Sequence, residues 1–334
     1  MAVASFITSC HPSISTQIVE LSGPTMGTQW RINLGAGNVD VPPLESLQKT
    51  IEDELVAINK LMSTWDPNSE LSQFNAAQST RATELHSHTV TVLKAALTVS
   101  EATSGAYDVT RGNLFALWGF SANEPSPEPP TALEINTALK TSGWQGVQIE
   151  NNHVAKKHPA LTIDLSSLAK GFAVDRLGQL LRQNNLHHYV VNIGGEIESR
   201  GERSEDSPWR IGIEQPDADP SIESGLLVND ANLATSGSYR NVRIVQGKRV
   251  SHLIDGRTGL PITHNLVAVT VLHENTMLAD AWSTAFMVAG AEWTKSYADA
   301  NELAVQLTLL DINSSAYTVW KSSKWQKIQA ISAD

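Results

Sequence analysis

Apolar residues recur at helical spacing in several stretches of the chain. Over residues 44–62 they fall every three or four positions, which predicts an amphipathic helix with one apolar face. The same spacing predicts a helix that begins near Ser166 and runs to Asn185. A short helix through Phe74 follows a loop rich in turn residues. Further helices are predicted over residues 86–104, 131–141, 276–290 and 291–300.

Short apolar or alternating runs between turn residues predict strands. Extended segments over 17–21 and 25–34 flank Ser22-Gly23-Pro24, and a buried strand over 189–197 contains Gly194 and Gly195. A glycine pair inside a strand indicates a bulge or a close backbone approach. A hairpin is predicted around Asn151-Asn152, and further strands are predicted over 209–214, 225–228, 241–245, 249–254, 266–272, 305–310 and 316–321.

The order of these elements predicts an α+β fold with mostly antiparallel sheets and packed helices. Strands outnumber helices in the second half, and hairpin turns join neighbouring strands, so a parallel nucleotide-binding sheet is not expected. The glycine-rich fingerprints of dinucleotide-binding and phosphate-binding loops are both missing. The 334 residues can form one large domain, which the length allows to divide into two subdomains.

Composition narrows the function classes. A net charge of −11 argues against non-specific binding of nucleic acid, which requires a basic surface. Cys10 is the only cysteine, so neither an intrachain disulfide nor a cysteine zinc site can form. Residues Phe6 to Cys10 are similar to a bacterial lipobox, although only nine residues precede the cysteine. Residues 1–15 are therefore expected to be a lipoprotein-like segment with a truncated start, the alternative being an incidental Cys10; residues 16–334 form the folded domain.

The helix that begins near Ser166 carries a candidate anion site. Ser166 or Ser167 is expected to cap it, with Lys170 and Gly171 in its first turn. A cation beside the free N–H groups of a helix start is typical of a phosphate-binding site. A capped helix with a surface lysine explains the same residues.

Asp280 and Thr284 are a candidate magnesium pair. They lie four residues apart in a predicted helix, hence on one face, and offer two hard oxygen ligands to Mg²⁺. Most such pairs are simply exposed to solvent, but the apolar neighbours of this pair predict a largely buried helix.

Three further residues are chemical candidates whose structural alternatives stay open. His252, at the end of an apolar strand, is either a general base or a hydrogen-bonded structural group. Trp65, in a polar loop, either covers the core or offers a stacking surface. Arg240, in a turn of small residues over 235–240, could meet a phosphate.

The joint order of several short motifs resembles the ApbE-type FAD:protein FMN transferases. The resemblance runs from Gly23 to about Gly290, nearly the whole chain. It departs from the usual pattern at Gly256, where proline is usual, and at Ser238, where an acid is common. The matching motifs are TMGT from Thr25, MSTW from Met62, SELS from Ser69, YDVT from Tyr107, LWGF from Leu117, DLS from Asp164 with AKG from Ala169, VNIGGE from Val191, SG from Ser236, SH from Ser251 and ADA from Ala279 with Thr284.

The resemblance implies one binding site for FAD and one for Mg²⁺. FAD would be bound by Met26, Trp65, Ala106, Tyr107, Asp108, Lys170 and Ile254. Mg²⁺ would be held by the Ser167 carbonyl, the Asp280 carboxylate and the Thr284 hydroxyl. Lys170 would contact FAD near the pyrophosphate. Our hypothesis is that Mg²⁺ and Lys170 stabilise the charge that develops there and that His252 assists removal of the proton from the incoming hydroxyl.

The implied reaction is Mg²⁺-dependent transfer of FMN from FAD to a threonine of an acceptor protein, with release of AMP. The acceptor would be a flavin-carrying subunit of a membrane redox complex. Lipidation of Cys10 would place the enzyme at the periplasmic face of the bacterial inner membrane, and without lipidation it would be periplasmic. Two alternatives stay open: a Mg²⁺-dependent FAD pyrophosphatase that gives FMN and AMP, and a non-catalytic flavin-binding lipoprotein.

Overall fold

The computed structural model describes residues 18–332 except 122–125, 127, 215–221, 240–241, 312, 315 and 329. The predicted segment around Cys10 lies outside the described residues, as does Arg240. No helix in the described part of the chain is both long enough and apolar enough to cross a bilayer.

The helices and strands alternate irregularly along the chain. The helices are α1 Leu44–Met62, α2 Glu70–Ala76, α3 Ser87–Ala102, α4 Gly112–Leu117, α5 Ala132–Thr141, α6 Ser166–Gln183, α7 Thr276–Ala289 and α8 Ala291–Ala300. The strands are β1 Val19–Thr25, β2 Thr28–Leu34, β3 Thr83–Glu84, β4 Val147–Glu150, β5 His153–Lys156, β6 Tyr189–Ile193, β7 Glu196–Arg200, β8 Trp209–Glu214, β9 Ile222–Val228, β10 Ala231–Gly237, β11 Val242–Val245, β12 Lys248–Ser251, β13 Ile254–Asp255, β14 Leu260–Pro261, β15 Leu266–His273, β16 Ala304–Leu310, β17 Tyr317–Lys321 and β18 Ala330–Ser332.

An eight-stranded sheet organises the fold. Its order is β1-β2-β6-β7-β10-β15-β16-β17, and every neighbouring pair is antiparallel. Helices α6 and α7 pack on this sheet, and α1 and α3 pack on those helices. The three-stranded sheet β18-β9-β8 contributes Trp209 and Ile211 to a cluster with Val190 and Leu233 of the large sheet. The predicted α+β fold with mostly antiparallel sheets is confirmed.

Helix α7 is the most deeply buried helix of the site. Its apolar residues, among them Ala281, Phe286 and Met287, contact the sheet and neighbouring helices from several sides. Asp280 and Ser283 are buried with them. A buried charge costs free energy unless it is paired, so the burial of Asp280 requires an explanation from the site.

Two predictions about the turns between strands are wrong. The turn between β1 and β2 is Met26-Gly27, with φ of 47° and 72°, and Pro24 lies inside β1. Proline is tolerated there because β1 is an edge strand of the sheet. Gly194-Gly195, with φ of 65° and 110°, is likewise a two-residue turn between β6 and β7, not a bulge within one strand.

Two predictions about the chain near the site are also wrong. Helix α6 has Leu165 at its N-cap, and neither serine caps it; instead, the Asp164 carboxylate accepts from Ser166 N at 2.8 Å. Lys170 therefore belongs to the second turn of the helix. Residues 235–237, predicted as a turn, end the central strand β10, because they pair with Val269 and its neighbours in β15.

Candidate active site

A cleft of about 760 Å³ opens where the β1–β2 and β6–β7 turns meet the start of α6 and the middle of α7. Trp65, from the loop after α1, lies at its rim with 66% of its surface exposed. Predicted site residues that line the cleft are Met26, Trp65, Tyr107, Asp108, Ser167, Lys170, His252, Ile254, Asp280 and Thr284. Ala106 does not line it; it is buried beside the cleft, and its carbonyl accepts from Gly256 N at 2.8 Å.

Lys170 and Asp280 meet in this cleft although 110 positions separate them in sequence. Lys170 Nζ lies 3.7 Å from Asp280 Oδ2 and 2.7 Å from Glu196 Oε1. The two carboxylate side chains are almost fully buried, and 28% of the lysine side chain is exposed. The site therefore combines one cation with two buried anions.

The absence of a side chain at Gly171 allows α6 and α7 to approach closely. A Cβ at Gly171 would lie 2.4 Å from the Thr276 carbonyl oxygen, so any other residue would push the helices apart. Gly171 N instead donates to Asp280 Oδ2 at 3.1 Å. One helix thus supplies both an N–H and an ammonium to the carboxylate of the other.

Asp175 fixes the start of α7 to α6. Its two carboxylate oxygens accept from Thr276 N at 2.8 Å and from Met277 N at 2.9 Å. These are N–H groups that the first turn of a helix cannot satisfy internally. Burial nevertheless raises the pKa of Asp175, and the two N–H bonds act against that rise. The contact sets the register between the two helices that carry the site.

Burial dominates the electrostatics of Asp280. It raises the pKa of Asp280 well above the usual range, Lys170 opposes the rise, and Glu196 adds to it. Glu196 Oε2 is buried and has no hydrogen-bond partner among the described residues. Two carboxylates that share one lysine leave an excess of negative charge, so the site favours a further cation.

Several hydroxyl groups line the same cleft as the two carboxylates. Ser236 Oγ, from β10, lies 2.8 Å from Ser283 Oγ and 2.9 Å from Thr284 Oγ1. Tyr107 Oη lies 2.8 Å from Ser167 Oγ. No three His, Cys, Asp or Glu side chains group as a metal site within the described ranges. Oxygen donors with few carboxylates suit Mg²⁺, which usually keeps several waters and binds substrate phosphates.

Another part of the cleft wall is apolar and aromatic. His252 lies in the link between β12 and β13, and its ring meets Phe120 edge-on with centroids 6.2 Å apart. Ile254 is buried beside it in a small cluster with Leu114 and Trp118. A polar end with charges and an apolar end with aromatic rings can hold a ligand that has both characters.

Comparison with known proteins identifies the family. A model of the ApbE family matches residues 26–307. The chain belongs to the ApbE family.

Relatives of this ApbE family member are similar over almost their whole length. The FAD:protein FMN transferase of Klebsiella pneumoniae is 36% identical, over 92% of this chain and 88% of that protein. The structure of the flavin transferase ApbE from Vibrio cholerae has a TM-score of 0.85 and 36% identity, and covers 94% of this chain and 99% of that one. The flavinyl transferase ApbE of Pseudomonas stutzeri, in its apo form, has a TM-score of 0.83 and 30% identity, with 93% and 96% covered.

In this ApbE family member, Asp108 has a structural task in addition to its place on the cleft wall. Oδ1 accepts from Thr110 N and Thr110 Oγ1, Oδ2 accepts from Trp144 N, and Arg111 Nε lies 3.1 Å from Oδ2. Burial raises the pKa of Asp108 despite these bonds. Its oxygens are therefore largely committed to the protein before any ligand binds.

Gly256, one of the departures from the ApbE pattern, lies very close to the backbone of Gly105 and to Asp108. A Cβ there would lie 2.5 Å from the Gly105 carbonyl oxygen and 2.9 Å from Asp108 Cβ. Its N–H, which a proline lacks, donates to the Ala106 carbonyl. The glycine thus lets the β13–β14 hairpin approach the segment that carries Tyr107 and Asp108.

Several residues line the cleft although the sequence predicts no role for them. Glu196 stands directly after the Gly-Gly turn, and Ser236 lies on β10; both contact predicted site residues. Asp164, Phe120 and Arg243 also line the cleft. The signal for Glu196 was present as an acidic residue in an otherwise apolar run, but its partner Lys170 could be recognised only once the fold was known.

Proposed function

We propose that this protein transfers FMN from FAD to a threonine hydroxyl of an acceptor protein, in a Mg²⁺-dependent reaction that releases AMP. The observation that carries the proposal is the shared cleft of Lys170 and Asp280, which lie 3.7 Å apart in a space of about 760 Å³. A space of that size is in the range that holds cofactors. Relatives that match almost the whole chain bear the name FAD:protein FMN transferase.

The reaction exchanges one phosphorus–oxygen bond for another. The threonine oxygen attacks the phosphorus on the flavin side of the pyrophosphate, and a phosphoester bond forms. The bond between this phosphorus and the bridging oxygen breaks, and AMP leaves with the bridging oxygen. The hydroxyl proton passes to a base, a role for which His252 at the cleft wall is the candidate.

The residues of the cleft divide this work between binding and charge stabilisation. Met26, Trp65, Tyr107 and Ile254 line the walls and would contact the flavin nucleotide. Ala106 and Asp108 would shape the same wall through their tight bonding to Gly256, Thr110 and Trp144. Lys170, held by Glu196, would stabilise the charge that develops at the pyrophosphate.

The donors around Asp280 fit a magnesium ion. The Asp280 carboxylate, the Thr284 hydroxyl and the Ser167 carbonyl would hold it. The buried Oε2 of Glu196, which has no hydrogen-bond partner in the described part of the chain, adds to the negative field. When bound, Mg²⁺ neutralises charge on the phosphoryl oxygens during transfer. The protein supplies the oxygens and their spacing through the fixed packing of α6 on α7.

We also propose that the acceptor is a flavin-carrying subunit of a membrane redox complex and that the enzyme works at the periplasmic face of the inner membrane. The lipobox-like order before Cys10 supports an anchor there. Metabolic labelling with a palmitate analogue, compared with Cys10→Ala, tests the anchor.

The test of the reaction is intact-mass analysis. The full chain is incubated with FAD, Mg²⁺ and the soluble domain of a flavin-carrying redox subunit, and with the same domain after its acceptor threonine is changed to valine. The expected result is a mass gain of one FMN less one water in the first domain only, together with AMP. Free FMN without labelled protein would indicate hydrolysis, and intact FAD would indicate binding alone.

Asp280→Ala provides the matched test of the metal. We expect it to abolish Mg²⁺-dependent labelling, whereas Asp53→Ala, an exposed helix position, should leave the labelling unchanged. Undiminished labelling by Asp280→Ala would remove the proposed metal site.

A further inference from the structure

Lys170 is shared unequally between two buried carboxylates. Its Nζ lies 2.7 Å from Glu196 Oε1, a full charge-assisted hydrogen bond, but 3.7 Å from Asp280 Oδ2, which is beyond hydrogen-bond length. The side chains of both acids are 3% exposed, so water does not screen either attraction. The ammonium has therefore been drawn toward one of two similar anions.

The preferred partner is the acid that has the fewer other bonds. Asp280 Oδ2 already accepts from Gly171 N at 3.1 Å. Glu196 Oε2, in contrast, has no hydrogen-bond partner in the described ranges. A buried carboxylate with one orphaned oxygen costs free energy, and a structure that served stability alone would not require it.

We propose that Glu196 is a positioning residue that holds Lys170 away from Asp280 and so keeps the Asp280 carboxylate available to a divalent cation. The proposal rests on the proposed function for the identity of that cation. Without Glu196, the ammonium would close the remaining distance to Asp280 and form a direct ion pair with it. A cation would then have to displace the lysine before it could bind.

Two other roles for Glu196 make different predictions. If Glu196 were itself a ligand, its loss would weaken cation binding whether or not Lys170 is present. If its charge acted only through the general field, its loss would likewise have the same effect in both backgrounds. Only competition by Lys170 makes the effect of Glu196 depend on the lysine, and a double-mutant cycle measures that dependence.

The experiment is calorimetric titration of the full chain with Mg²⁺ in the absence of FAD. It compares wild type, E196Q, K170M, the double variant and D280A. We expect E196Q to weaken Mg²⁺ binding about tenfold in the wild-type background, the range known for groups that orient metal ligands, and less than about twofold in the K170M background. E198Q changes another buried carboxylate of the same strand and is the control for lost stability: it should lower the free energy of unfolding without altering the Mg²⁺ affinity.

A second variant keeps the test independent of the charge change. E196D retains the carboxylate but shortens it by one methylene, so it should reach Lys170 poorly and weaken Mg²⁺ binding in the wild-type background only. An equal loss in both backgrounds, for either variant, overturns the proposal and leaves the proposed function standing. If D280A binds Mg²⁺ as tightly as wild type, the metal site itself fails, and this proposal fails with it.

Discussion

Glu196 and Glu198 lie two residues apart on the same face of β7, and their surroundings differ sharply. Glu198 is bonded to Arg182, receives a 2.8 Å hydrogen bond from Tyr189 Oη and lies 3.3 Å from Arg200. Among the described residues, the ionic partner of Glu196 is Lys170, which it shares with a second acid. One buried carboxylate is surrounded by two cations, and the other is one of two carboxylates that share a single cation.

The difference separates a structural charge from a functional one. The Glu198 cluster is complete within the protein, because its charge is compensated by two arginines. Gly178 lies against it so closely that a Cβ would be 2.2 Å from Glu198 Oε2. The Glu196 site lacks positive charge and opens onto a cleft. Uncompensated negative charge at the cleft indicates that the Glu196 site binds a positively charged ligand.

The largest expected effect is on folding. Glu198→Ala leaves Arg182 and Arg200 without their shared carboxylate, and we expect a loss of about 3–5 kcal/mol in the free energy of unfolding. Urea denaturation measures it. Glu20→Ala, which breaks an exposed pair with Arg31, is the control and should cost less than about 1 kcal/mol. Comparable losses in the two variants would contradict the structural role of the Glu198 cluster.

The next effect is on catalysis. Lys170→Met removes the ammonium beside Asp280 and Glu196, and we expect FMN transfer to fall on the order of 10²–10³-fold in kcat, as for other groups that stabilise developing charge. Single-turnover labelling of the acceptor measures it. Lys295→Met, at an exposed pair with Glu292, should retain the wild-type rate. A change confined to KM would show that Lys170 only binds FAD.

A smaller effect concerns pH and the metal-free protein. Burial raises the folded-state pKa of Asp280, so the unfolded chain loses this proton first as the pH rises above about 4. The folded state therefore loses stability up to the raised pKa, at most about 1.4 kcal/mol per pH unit. The side chain of Asp280→Asn cannot titrate. Thermal unfolding in the presence of a chelator should therefore show that the variant is more stable than wild type, by a margin that grows with pH. Saturating Mg²⁺ should reverse that order, and an advantage that shrinks with rising pH would refute the assignment.

The smallest effect is at the rim of the cleft. Trp65→Ala removes an exposed aromatic face, and we expect FAD affinity to fall by about 1 kcal/mol without a change in fold. Equilibrium binding of FAD measures it. Val319→Ala, on the outer strand β17, is the control for a change at a partly exposed apolar residue. An equal loss in both variants would exclude a stacking role for Trp65.

The sequence predicted best those elements that local patterns determine. Helix α1 has the predicted bounds because Leu47, Ile51, Leu55 and Ile58 recur at a spacing that only a helix places on one face. The turns were misplaced because Met26 adopts a positive φ that is uncommon for a residue other than glycine. Helix α6 begins at Ser166 as predicted, but the predicted serine cap is wrong because Asp164, rather than a serine, accepts from its first N–H.

The site could be predicted from the order of its motifs but not from its interactions. The motifs gave the residues that line the cleft, and Asp280 with Thr284 share a helix face as predicted. The pairing of Lys170 with Glu196 depends on the packing of α6 against β7, a contact between elements that no local pattern encodes. The roles of these residues stay predictions until the variants above are measured.

The bond of Asp175 to the first turn of α7 has a consequence for how the chain can change in length. The spacing of Lys170 and Asp280 depends on the intervals from Lys170 to Asp175 and from Thr276 to Asp280, because Asp175 bonds to the start of α7. The loops that join the strands from β6 to β15 belong to neither interval. One residue inserted between Lys170 and Asp175 would instead rotate the lysine by about 100° relative to the junction. The intervals from Lys170 to Asp175 and from Thr276 to Asp280 are thus stretches whose length the site constrains.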